Sequence, residues 1–209
     1  MSAARQLFTL EPGRWAYKAD MALYGAAVLA LAALLLRAGP AGHAPVLSAL
    51  VLTGLAAWTL IEYLVHRFVM HGLQPFIRWH QAHHHRPGAL IFTPTWATAA
   101  LIFALVFVPA WLALGLWPAC ALTLGVLTGY LAYGITHHAT HHWRAGGAWL
   151  KQRKRWHARH HHQGQATCYG VTSGFWDRVF RSAAPSPRKV LVRPSPHSAA
   201  NRTTVASVP

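Results

Sequence analysis

Val46-Leu-Ser-Ala-Leu-Val-Leu-Thr-Gly-Leu-Ala-Ala-Trp-Thr-Leu-Ile-Glu-Tyr-Leu-Val-His-Arg-Phe-Val-Met-His71 joins an apolar run to a pair of histidines. Residues 46–65 are about as long as the ~20 residues a helix needs to cross a bilayer. His66 and His71 lie where that run ends. Three further apolar runs cover residues 21–36, 96–116 and 119–136. Over the whole chain 54% of residues are hydrophobic and 11% charged, against about 25% charged in typical soluble domains. Four such runs in 209 residues leave little polar surface to cover them, which disfavours buried helices of a soluble protein. The runs are continuous rather than alternating, which disfavours a β-barrel. Some 20 residues, including Glu11, Pro12 and Asp20, precede the first run, and only a loose cleavage-site match follows Arg37. It is therefore read as a retained helix, not a signal peptide. The expectation is an all-α integral membrane protein with about four transmembrane helices. Residues 1–20 form an N-terminal cytoplasmic segment, 21–181 the membrane domain with a histidine-rich cap, and 182–209 a basic tail rich in Pro, Ser and Ala that is expected to be disordered.

Charge orients the spans. With four of them, both termini and the link between the second and third fall on one side. That side receives Arg5, Arg14, Lys18, Arg67, Arg78, Arg86 and every basic residue from Arg144 onward, and the other receives only Arg37, so 18 of the 19 Lys and Arg lie together. The basic side is expected in the cytoplasm. The net charge of +15 brings no nucleic-acid-binding motif with it. It reads as a cap lying against anionic headgroups. Cys120 and Cys168 sit in an apolar run and in the polar C-terminal part, without the spacing of a zinc site or a pairing that points to a disulfide.

Fourteen of the sixteen histidines fall on that same side in four clusters: His66 and His71; His80, His83, His84 and His85; His137, His138, His141 and His142; His157, His160, His161 and His162. The other two, His43 and His197, stand alone. Neutral imidazole is the commonest metal ligand. Residues three and four apart share a helix face, so His80, His83 and His84 can converge, as can His157, His160 and His161, and His137 aligns with His141. His66 and His71 are five apart, about 140° around an ideal helix, and need a distorted helix end, which Gly72 allows. Two HxxHH elements and two pairs supply ten nitrogens. One metal rarely takes more than five or six, so ten imply two metals. His85, His138, His142 and His162 are read as outer members of their clusters. The chain has only Glu11, Asp20, Glu62 and Asp177 as carboxylates, too few for a carboxylate-bridged dimetal bundle. Glu11 and Asp20 lie far from the clusters in sequence.

Three stretches resemble the fatty acid hydroxylase/sterol desaturase superfamily of membrane diiron enzymes, and most of all its fatty acid 2-hydroxylase branch. Glu62-Tyr-Leu-Val-His-Arg-Phe-Val-Met-His71 is similar to the first histidine box. His80-Gln-Ala-His-His84, followed by Leu90-Ile-Phe-Thr-Pro94, resembles the second. His157-Ala-Arg-His-His161, followed by Tyr169-Gly-Val-Thr-Ser173 and Phe175-Trp-Asp-Arg-Val-Phe180, resembles the last box and its tail. Tyr133-Gly-Ile-Thr-His137 with His141 matches the remaining pair, although the family usually carries an acidic residue where this chain has Gly134. The likeness covers residues 58–181.

The resemblance implies ten ligands: His66, His71, His80, His83, His84, His137, His141, His157, His160 and His161. It implies two iron ions, for which zinc can substitute in purified protein, O2 as co-substrate, and insertion of one oxygen atom into an unactivated C–H bond of a lipid, a fatty acyl chain first among the choices. No separate side-chain base is implied. No His-Pro-Gly-Gly haem signature occurs in the sequence, so electrons are expected from a separate cytochrome b5- or ferredoxin-like protein. The competing readings are a carotenoid hydroxylase or sterol-modifying oxidase of the same superfamily and, in another class, a metal transport or storage protein. Transporters place ionisable residues near the bilayer midplane, and these runs do not. A zinc protease lacks its HExxH here.

Overall fold

The computed structural model describes residues 13–90, 93–144, 146–162 and 167–184. Glu11, His197 and all but residues 182–184 of the expected tail lie outside them. Helix α1 spans Arg14–Ala38 and α2 Ala44–Leu64, the latter continued by a π-helical turn at Val65–Met70. Next come α3 (Phe76–His85), α4 (Thr95–Ile102), a second π-helical turn at Phe103–Phe107, α5 (Val108–Leu114), α6 (Leu116–His142), α7 (Ala148–His162) and the short α8 (Phe175–Val179). The described residues contain no strand.

Among the described residues, four helical stretches are long and apolar enough to cross a membrane: Arg14–Ala38, Ala44–Met70, Thr95–Leu114 and Leu116–His142. Each matches one of the apolar runs; α1, the second span and α6 extend several residues beyond theirs, while the third span ends two residues short of its run. Those extensions carry function, since the second span and α6 both end in histidine pairs. Pro109 in the third span lacks the amide for Leu105 and crowds its carbonyl, and the π-helical turn at Phe103–Phe107 directly precedes the helix that contains it.

Helix α6 is the axis of the bundle. Its apolar window is 56% buried, against 11–17% for the other spans, and α1, α2 and α5 all pack on it. The closest approach is to α2. A Cβ on Gly125 would stand 2.1 Å from the Val51 carbonyl oxygen, and one on Gly54 would stand 2.2 Å from that of Leu122. Two glycines thus let the backbones touch, the usual device where lipid supplies no hydrophobic drive between helices. Gly115, at φ +89°, is the whole link between α5 and α6, a backbone angle that L side chains rarely adopt. Leu29, Leu52, Leu105 and Leu112 point outward and are exposed, as lipid-facing side chains are.

Helices α3 and α7 form a cap over one end of the bundle. The ends of α2 and α6 meet it there. The start of α1 reaches the same end, where Tyr17 Oη lies 3.1 Å from His138 Nδ1.

Candidate metal centre

The cap and the span ends bring the imidazoles into two sets. His66, His71, His80, His84 and His160 form the first, and His83, His141, His157 and His161 the second; within each set one ligand atom per residue lies within 4.8 Å of all the others. His137 stands at the edge of the second set, its Nε2 3.1 Å from that of His83. All ten histidines expected as ligands are therefore in or against these sets. The sets abut: the His84 and His161 rings stack at 4.2 Å.

Each pairing follows from local geometry. The π-helical turn at Val65–Met70 bonds residues five apart, so His66 and His71 come to one side with ring centroids 5.4 Å apart. The distortion expected at this helix end is present and lies just before Gly72. The HxxHH elements depart from the simplest reading of their spacing, in which all three imidazoles of each converge. On α3, His80 and His84 serve the first set and His83 the second; on α7, His157 and His161 serve the second and His160 the first. Successive residues diverge by about 100° on a helix, so an HH dipeptide cannot aim both rings at one point. It bridges two points instead. Each set thus receives an i,i+4 pair from one cap helix and a single histidine from the other; the first adds the pair His66 and His71 from the second span, and the second adds His141 of α6, with His137 at its edge.

The Nε2 atoms of these rings face one another. His80 Nε2 lies 3.0 Å from His66 Nε2 and 2.9 Å from His84 Nε2. His157 Nε2 lies 2.8 Å from His141 Nε2 and 3.1 Å from His161 Nε2. One proton on His80 or His157 would have to be shared between two acceptors, whereas a cation at the common centre takes every lone pair. His66 Nδ1 donates to the Tyr169 carbonyl at 2.5 Å and His160 Nδ1 to that of Thr167 at 2.8 Å. Those bonds fix the tautomer that leaves Nε2 free to ligate. Neutral imidazole donors suit zinc, copper, iron and nickel, so the residues present fit a dimetal centre.

Electrostatics keep these rings neutral. Burial, reinforced by neighbouring imidazoles, pushes His83 down to about 3, His84 to about 2 and His161 to about 4. His160 falls to about 3 by burial, against the opposing bond to Thr167. His80 and His157 are driven well below the usual imidazole range by the same burial and crowding. A consequence for pH follows. Unfolded imidazoles take up protons as pH falls through about 6.5, while the folded ones resist until about 3 to 4. Between those values the unfolded state binds more protons, so stability is present above about 6.5 and is lost as pH falls. The unfolding midpoint of metal-free protein in detergent is expected to be flat from about pH 8.5 to 7 and to drop steadily toward pH 5. A midpoint that rises on acidification would contradict this.

The outer cluster members behave differently. His85, His142 and His162 are exposed, and His138 turns to Tyr17. Two groups escaped the sequence reading as parts of the site. Glu62 and Asp177 are buried, and both bind the segment after α7. Glu62 Oε1 accepts from the amides of Val171 at 2.6 Å and Thr172 at 2.9 Å, and Oε2 accepts from Thr172 Oγ1. Asp177 Oδ1 accepts from the Tyr169 amide at 2.8 Å and from Ser182 Oγ, and Oδ2 from the Gly170 amide at 2.8 Å and from Trp156 Nε1. The available signal was scarcity, since a chain with four carboxylates that buries three of them needs donors beside each.

Comparison with known proteins agrees with this geometry. The family model for fatty acid hydroxylases matches residues 51–182, the stretch that holds all ten histidines. The chain belongs to the fatty acid hydroxylase family. Among similar family members, the dihydroceramide fatty acyl 2-hydroxylase FAH2 of Arabidopsis thaliana is 38% identical over 151 residues, covering 65% of this chain and 61% of that protein. The ceramide very long chain fatty acid hydroxylase scs7 of Schizosaccharomyces pombe is 34% identical, covering 63% and 41%. The fatty acid 2-hydroxylase of Rattus norvegicus is 33% identical, covering 65% and 40%. The match thus takes in about two fifths to three fifths of the length of these curated relatives. A solved structure of full-length scs7p, in which only the hydroxylase domain is visible, superposes with a TM-score of 0.71 at 24% identity, over 88% of this chain and 70% of that one, and so shares the fold.

Proposed function

We propose that this family member is a membrane hydroxylase acting on the acyl chain of a lipid, with two iron ions held by the ten histidines. One ion would be held by His66, His71, His80, His84 and His160, the other by His83, His137, His141, His157 and His161. The single observation that carries the reading is the pair of abutting imidazole sets with ring nitrogens turned toward one another at one end of a bundle of apolar helices long enough to span a membrane. Such a centre supplies the redox chemistry by which a C–H bond, O2, two electrons and two protons give a hydroxyl group and water. Zinc can occupy the same nitrogens in overexpressed protein, since its affinity exceeds that of Fe(II).

The chain's own part is to place the substrate and to exclude water. Tyr17 lines a narrow recess beside His83, His137 and His141. Tyr24, two turns deeper on the same face of α1, lines an apolar cavity of about 300 Å³ between α1, the third span and α6, with Ala27, Leu31, Ile102 and Phe107. Seven residues of helix separate the two by roughly 10 Å, a spacing that supports an acyl chain lying along α1 with its polar end at the cap.

Electrons would come from a separate carrier of the cytochrome b5 or ferredoxin kind. Lys151 and Arg155 are exposed on α7, one turn apart, while His157, His160 and Arg153 of that helix face inward. Asp20, Glu62 and Asp177, the three described carboxylates, are all buried. The exposed charged side chains of the described residues are therefore all basic and complementary to an acidic redox protein. The charge asymmetry supports a cytoplasmic position for that face, the metal centre and both termini, and a reporter fused at Pro209 should be active only as a cytoplasmic reporter.

The test is lipid analysis of membranes expressing the protein under 18O2. Lipids heavier by one labelled oxygen are expected on an acyl chain. Ala27→Trp, which fills the apolar cavity away from the metals, should lower product by roughly tenfold or more, the scale of a few lost methylene contacts, with metal content unchanged. Absence of labelled acyl product with both metals bound would overturn the hydroxylase assignment, and labelled carotenoid or sterol would transfer it to those substrates.

A further inference from the structure

The two metal sets differ in how they are supported, and the difference lies in the segment that follows α7. Four consecutive amides, those of Tyr169, Gly170, Val171 and Thr172, are each captured by a carboxylate: the first two by Asp177, the next two by Glu62. Asp177 is fully enclosed at 0% exposure and Glu62 is 4% exposed. Glu62 comes from the end of the second span, one turn before His66, so the captured segment is tied to the same helix that carries the first histidine pair. The segment in turn presents the Tyr169 carbonyl to His66 Nδ1. Just ahead of it the Thr167 carbonyl meets His160 Nδ1. Both of those histidines belong to the first set. In the second set, Nδ1 of His83, His157 and His161 is buried with no hydrogen-bond partner, as is that of His84 in the first, so the backbone support of the first set falls on His66 and His160.

We propose that Glu62 and Asp177 are positioning residues that clasp residues 167–173 over the first set, so that retention of its metal depends on the clasp while the second set holds its metal independently. The physical grounds are two. An imidazole whose far nitrogen donates to a fixed carbonyl is held in orientation and tautomer and is a more basic ligand. And the two carboxylates hold four consecutive amides of the segment, which keeps its carbonyls in place against those imidazoles. Two metals with equal ligand counts are thereby made unequal in affinity.

The inference rests on the dimetal reading, and the experiment separates the two. Metal per chain is counted in detergent-purified, monodisperse protein, and release to a chelator is followed in time. Unsubstituted protein is expected to hold two metals and to lose them in two phases. Glu62→Gln and Asp177→Asn each replace one of the paired acceptor oxygens by a donor, and should accelerate only the slower phase, weakening one site by about 10–100-fold, the usual loss when a ligand's supporting partner is removed. Combination with ligand variants identifies the site. In His141→Ala, which leaves the first set intact, adding Glu62→Gln should strip the remaining metal. In His71→Ala, which leaves the second set intact, adding Glu62→Gln should change nothing. Thr172→Val, which deletes one bond to Glu62 and keeps both carboxylates, provides a milder variant should the others fold poorly, and it should speed the slower phase alone by several-fold. Asp20→Asn, a buried carboxylate bonded instead to Thr95, should leave both phases as they were. If the clasp variants keep both phases unchanged, or accelerate both equally, the inference falls and the dimetal reading stands. If unsubstituted protein holds no metal, the dimetal reading falls and this inference with it.

Discussion

Alanine at His83 or at His160 is expected to abolish hydroxylation while leaving the spans inserted. His83 belongs to the second set and His160 to the first, so each substitution removes a direct ligand from a different metal. The expected metal content of each variant is about one per chain, and loss of activity in both would show that neither ion works alone. Both rings are buried, but they sit in the cap rather than within the spans, so membrane insertion does not depend on them. Exposed His85 and His162 provide the contrast. Alanine there should cost at most about 10–100-fold, and His197→Ala should leave activity near that of the unsubstituted protein. The assay is oxygen-dependent product formation in membranes at matched expression. Activity retained in both His83→Ala and His160→Ala would remove the basis for a dimetal assignment.

Gly125→Leu is expected to be as damaging from about the middle of the bilayer. Even a Cβ at this position would stand 2.1 Å from the Val51 carbonyl oxygen and 2.9 Å from the Gly54 Cα. Those are backbone atoms and cannot rotate away, so α2 and α6 must separate. Overpacking typically costs about 1–3 kcal/mol, yet the functional loss should exceed that. Helix α2 leads to His66 and His71, and α6 carries His137 and His141, so separating the two helices displaces ligands of both sets at once. Misplacement by about 1 Å can cost on the order of 100-fold. Both metals should be lost together with activity. Gly25→Ala on α1, where a Cβ meets nothing within 4 Å, should change neither. A Gly125→Leu protein with two metals and full activity would show that the α2–α6 contact does not position the site.

Several parts of this arrangement were legible in the sequence because they depend on local periodicity. Apolar run length indicated the four spans, and histidine spacing indicated which residues gather. What the spacing could not convey was the partition. A helix wheel places His80, His83 and His84 on one side but does not say that a second centre lies close enough for His83 to reach it, which depends on how α3 crosses α7. The five-residue step from His66 to His71 did indicate a distortion, and the π-helical turn is the form it takes. The carboxylates were opaque for a different reason. Glu62 reaches Val171 and Thr172 across more than a hundred residues of chain, a contact that no local pattern encodes. The start of α1 was also hidden: Arg14 to Asp20 are too polar to extend a hydropathy run, yet they are helical, and Asp20 is buried against Thr95.

The central claim is that ten imidazoles build two metal sites in one chain, and elemental analysis of purified protein after iron loading tests it most directly. Two metal ions per chain are expected, iron where loading succeeds and zinc where it does not. Fewer than one ion per chain in monodisperse, iron-loaded protein would contradict the account.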